Sequence, residues 1–184
     1  MKSTLTSSTL ALALGALAIV AFNILGWPVK VRFEEPLLNY WTAVALAIAL
    51  PLSLFAIGLA ITSKSLKIAC IMAASCTLLP CSVYAFFAQL HARDIEEKGV
   101  DLSYLLLGDV PMGRQNMRLY STNCGATCSY GLELRAEFDI GAGLKIVRPV
   151  WSKYRTDPNA KLQLIGPNHI QVLEAGGIVS DVRL

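Results

Sequence analysis

Two cysteines with three residues between them, Cys124-Gly-Ala-Thr-Cys128, are the residues of this chain whose spacing most invites chemistry. Thiols so placed can close a disulfide, shuttle electrons or bind a metal. Redox-active pairs usually have two intervening residues, not three. A metal site needs further ligands, and the two histidines, His91 and His169, stand at no ligand spacing to the pair. A structural disulfide between Cys124 and Cys128 is therefore expected, with Gly125 supplying backbone freedom, provided the segment faces an oxidising compartment. Cys70, Cys76 and Cys81 lie in an uncharged apolar segment and are expected to behave as small hydrophobes.

Other chemistry finds little support. No nucleotide-binding loop, nucleophile elbow, HExxH or paired-cysteine zinc pattern occurs. His169 alternates with Ile170 and Val172, the pattern of a histidine on a strand surface. Neither a catalytic residue, a cofactor nor a bound metal is expected, and the chain reads as non-enzymatic. Tyr120, Tyr130, Trp151 and Tyr154 are the candidates for an interaction surface, if they cluster on one face.

These residues must be positioned by two regions of different composition. The chain is 54% hydrophobic and 16% charged, outside the usual soluble balance. No charged residue occurs between Pro36 and Ser63, or between Ile68 and Leu90. From Asp101 onward, nine Lys and Arg face eight Asp and Glu, so the net charge of +3 marks no basic cluster and nucleic-acid binding is not expected.

The first half reads as membrane-spanning, with helices over about 5–27, 41–62 and 67–98. Leu10 to Trp27 forms the first apolar run, for which a cleaved signal peptide is the rival reading. Residues 28–40 read as a short connection. Pro51 and Pro80 are expected to kink the second and third helices. Arg93 four before Glu97, and Asp94 four before Lys98, should extend the third helix as a stalk ending at Gly99. Lys2, Lys64 and Lys67 would lie on the cytoplasmic side, leaving the second half outside.

Residues 100–184 read as a small antiparallel β domain of five to seven strands, a sandwich or rolled sheet, giving an α+β membrane protein. Leu132, Leu134, Ala136, Phe138 and Ile140 alternate with Glu133, Arg135, Glu137 and Asp139. The turn Gly141-Ala142-Gly143 should return this strand as a hairpin. A second hairpin is expected around Gly166-Pro167-Asn168, with a last strand from Gly177.

The expected role is an inner-membrane protein of bacterial type, with its N-terminus cytoplasmic and its β domain periplasmic or extracellular. The lipid bilayer and an envelope protein would be its partners, the β domain serving as an accessory or immunity-type module. The alternative is a structural subunit acting through its helices in a larger membrane complex.

Overall fold

The computed structural model describes residues 8, 10, 11, 14, 15, 18, 19, 28–123, 130–154, 159–175 and 177–183. The seven described residues before Pro28 are helical, and the rest of the expected helix over 5–27 lies outside the described residues. Two long helices follow, α1 (Pro36–Ala60, 25 residues) and α2 (Lys64–Lys98, 35 residues). Both are long and apolar enough to cross a membrane, so the described residues contain two such helices where the sequence suggests three.

Helix α1 begins five residues earlier than the apolar run suggests, because Pro36 is preorganised for a first helical position. Ser63 opens α2 by accepting the Lys67 N–H on its carbonyl oxygen at 2.9 Å. The helix then continues through the charged stretch to Lys98, and Gly99 ends it at a φ of +69°. Pro51 and Pro80 sit inside helices that run on through them.

The residues buried along this pair are mainly small: Ala47 and Gly58 on α1, Ala74, Ala88 and Ala92 on α2. A Cβ at Gly58 would lie 3.0 Å from Ile71 Cγ1 and 3.2 Å from Cys70 Cβ. The helices approach that closely because no side chain stands there. At the other end Trp41 Nε1 donates to Glu96 Oε1 at 3.2 Å, and Tyr40 stacks on His91.

The chain divides into two units, a helical one of residues 1–27 and 36–97 and a β unit of residues 28–35 and 98–184. The boundary near residue 100 is where the composition changes. Residues 28–35, however, are not a plain connection: Lys30–Phe33 form a strand, β1, of the β unit. A valine and a phenylalanine alternating with Lys30 and Arg32 suit a half-covered strand once a partner edge exists.

Among the described residues seven further strands follow: β2 (Tyr104–Met112), β3 (Gln115–Thr122), β4 (Gly131–Gly141), β5 (Leu144–Tyr154), β6 (Lys161–Gly166), β7 (His169–Glu174) and β8 (Gly177–Arg183). They form two antiparallel sheets, ordered β1-β5-β4-β3-β2 and β6-β7-β8. The β4–β5 hairpin turns through Ala142 and Gly143 with φ of +54° and +70°, the positive values that a two-residue hairpin demands.

One apolar core joins the sheets. Met117, Leu119, Leu132, Leu134 and Ala136 from the larger sheet pack with Ile170 and Val172 from the smaller, all essentially inaccessible. Gly108 follows a bulge in β2, and a Cβ there would lie 3.0 Å from Leu162 Cβ of β6. The bulge and the missing side chain let the two sheets close at that corner.

Candidate functional site

The second face of the five-stranded sheet carries the polar half of the alternation. The register sets Asp109 opposite Arg118, Arg118 opposite Arg135, Tyr120 opposite Glu133, and Arg32 opposite Lys145. Directly opposite residues share a face, so five strands contribute to one polar surface. It is not a solvated surface. Arg135 is 6% exposed and Glu137 4%, although the smaller sheet packs on the other side.

Curvature explains this burial. Arg32 and Tyr104 belong to opposite edge strands, which a flat five-stranded ladder would hold about 19 Å apart. The Arg32 guanidinium nevertheless lies 5.6 Å from the centre of the Tyr104 ring. The sheet therefore curls around its polar face, and its edge side chains roof the middle strands. Arg135 sits 4.2 Å from the same ring and 5.0 Å from that of Tyr120, so Tyr104 has two guanidiniums against it.

Glu137 is the centre of the network. Its Oε1 accepts the Tyr120 hydroxyl at 2.8 Å, and its Oε2 accepts Arg118 Nη1 at 2.9 Å and Lys145 Nζ at 2.7 Å. Arg118 also reaches Asp109 at 3.3 Å, while Arg135 grips Glu133 through two bonds of 2.9 and 3.1 Å. Burial alone would raise the Glu137 pKa. The hydrogen bond and charge of Lys145, with the Tyr120 hydroxyl and Arg118, outweigh it and hold the carboxyl below the ordinary glutamate range. Burial and then the Glu137 charge push the Tyr120 phenol well above its ordinary value.

Glu137 thus stays ionised and Tyr120 stays protonated across neutral pH. Such a pair serves as an electrostatic brace and does not exchange a proton there. A cleft of about 50 Å³ opens between Arg118, Lys145, Asn116 and Glu34. It has room for a water or two, well short of a typical small-molecule pocket. Among the described residues, no group of three His, Cys, Asp or Glu side chains is placed to hold a metal ion.

The four aromatic residues singled out from the sequence fall in three places. Tyr120 is buried in the polar network, which removes it from any free surface. Trp151 stands opposite Leu134 and packs against the apolar core on the other face. Tyr130 and Tyr154 stand at the same end of the β4–β5 ladder, Tyr154 opposite Gly131 and Tyr130 just before it, and both are open to solvent, at 53% and 72% exposure. Cys124 and Cys128 lie outside the described residues. His169 is not a bare surface histidine, since its Nε2 pairs with Asp181 of the neighbouring strand.

Sequence reasoning missed Glu137, Arg135, Arg118, Tyr104 and Arg32 as a group. The alternation placed the charges of β4 on one face, and both signs on that face were the available signal. Nothing local indicated that the face would be covered. In comparisons with known proteins, the chain matches no family model, no curated protein and no solved structure.

Proposed function

We propose that this protein is a non-enzymatic inner-membrane module that presents its β unit to a protein partner at the outer face. The observation that carries this reading is the exposure of Tyr130 and Tyr154 at one end of the β4–β5 ladder. Exposed tyrosines offer large, rigid contact area with a polar tip, the composition of interface hot spots. An envelope accessory protein and an immunity-type protein both need such a displayed surface.

Chain connectivity supports the membrane part. Strand β1 precedes α1 and pairs with β5, which follows α2, so both ends of the helical pair lead into one folded unit. If α1 and α2 each cross the bilayer, residues 28–35 and 98–184 share one side, and Lys64 and Lys67 lie at the other. With the first apolar run as a third span, Lys2 joins those lysines, and the positive-inside rule makes that side cytoplasmic.

Proximity labelling from the β unit tests the reading. Partners labelled by the wild type should be lost in a Tyr130→Ala/Tyr154→Ala variant of unchanged thermal stability, and retained when α1 and α2 are replaced by an unrelated helical pair. Partners that vanish only in the helix replacement would instead favour a subunit acting through its helices.

A further inference from the structure

Among the described residues, one cation of the polar network has no acid to meet. Arg118 and Lys145 share Glu137, and Arg135 holds Glu133, but Arg32 forms no ion pair there and its guanidinium meets the Tyr104 ring. Glu34, two residues on, lines the cleft beside Arg118 and Lys145 instead. The neighbours of Arg32 are themselves cations: the register sets Lys145 directly opposite it, and Arg135 lies against the same ring at 4.2 Å. Like charges so placed repel one another, so a negative charge brought to Arg32 relieves its neighbours as well. Donors are also left over. Arg135 commits Nε and Nη2 to Glu133, which leaves Nη1 outside that pair. The Tyr104 hydroxyl forms no hydrogen bond among the described residues, and Tyr104 and Arg32 are both only half-buried.

We propose that the concave face of the larger sheet binds a phosphate group, held by the Arg32 guanidinium and the Tyr104 hydroxyl with the buried Arg135 charge behind them. These three side chains come from three strands, β1, β2 and β4, and they meet because the sheet curls. A planar carboxylate matches a single guanidinium edge. A phosphate turns oxygens in several directions and accepts charge-assisted bonds of about 2.8 Å on them, so it suits donors that converge from different strands. Low exposure of Arg135, at 6%, keeps its charge poorly screened and effective at that place. The phosphate belongs either to a free solute or to a phospholipid headgroup, and both present the same oxygens.

Calorimetric titration of the full chain in maltoside micelles with sodium phosphate, at an ionic strength held constant with sodium chloride, tests the site. The wild type should bind one phosphate per chain saturably, and acetate roughly tenfold more weakly. Arg32→Gln should weaken phosphate binding roughly tenfold, and Tyr104→Phe, which keeps the ring against both guanidiniums, about threefold. Lys153→Gln removes an exposed cation paired with Glu174 and should bind as the wild type does. Arg32→Lys keeps the charge and loses the planar fork, so it serves if Arg32→Gln fails to fold, with a loss of about threefold. Short-chain phosphatidic acid mixed into the micelles should compete with phosphate if the group is a headgroup's, and leave its binding unchanged if the group belongs to a solute. Absence of saturable phosphate binding, or equal affinity in the wild type and the Arg32 variants, overturns the proposal. Acetate bound as tightly as phosphate overturns the choice of a tetrahedral anion.

Discussion

The helical pair and the β unit are packed in opposite senses. Along α1 and α2 the buried positions are largely alanines and a glycine, while Leu52, Leu79 and Phe86 point outward, Leu79 at 73% exposure. In the β unit Met117, Leu119, Leu132, Leu134, Ile170 and Val172 are fully buried, and on the opposite face of the larger sheet even a glutamate and an arginine are buried. A helix satisfies its own backbone hydrogen bonds, so close contact of small residues can hold two helices together while bulky side chains meet an apolar surround. A sheet unit in water must bury its apolar area, and it can bury charge only where every charge is met. Glu137, with Tyr120, Arg118 and Lys145 around it, meets that condition.

Three substitutions would break or sharpen this contrast. The largest effect should come from Leu134→Ala, which hollows the core shared by both sheets. It should lower the stability of the β unit by about 3 kcal/mol, read from denaturant unfolding followed by tryptophan fluorescence. A loss below about 1 kcal/mol would mean that the two sheets do not depend on a common core.

Glu137→Gln should cost about 2 kcal/mol, because Arg118 and Lys145 keep their charges and lose the carboxylate that compensates them. It should also change the pH profile. A carboxyl whose pKa is lowered on folding adds stability that is complete above its ordinary value of 4.5 and is lost as pH falls through the lower folded value. The wild type should therefore lose stability on acidification below pH 4.5 more steeply than the variant. Parallel acid profiles would show that Glu137 is not the centre of the network.

The smallest effect belongs to the helical seam. Gly58→Val places methyl groups where a Cβ alone would already lie 3.0 Å from Ile71. About 1 kcal/mol of helix-pair stability should be lost, measured as cysteine cross-linking yield between the facing segments of α1 and α2. An unchanged yield would mean that close approach at Gly58 does not hold the pair.

The legible parts of this fold are those with a local cause. Alternation over Leu132–Ile140, the Ala142-Gly143 turn and the turn before His169 are each readable within a dozen residues, and each recurs as a strand or hairpin. Strand β1 was hidden because four residues between two apolar segments carry no strand signal of their own. Its partner edge on β5 lies beyond both helices and three strands. The burial of Tyr120 was hidden for a related reason: period-two patterning says which residues share a face, not whether that face is covered.

From its own residue pattern the chain determined two long apolar helices, a charged extension reaching Lys98, and a run of antiparallel strands after it, because hydrophobic period and turn chemistry act between near neighbours. Only the tertiary structure decided that residues 28–35 belong to the β unit, and that the larger sheet curls until Arg32 meets Tyr104. It likewise decided that Glu137 is buried among its donors while Tyr130 and Tyr154 alone of the four aromatic candidates stand exposed. Those outcomes depend on the twist accumulated across five strands and on pairings between distant segments, which no local window contains.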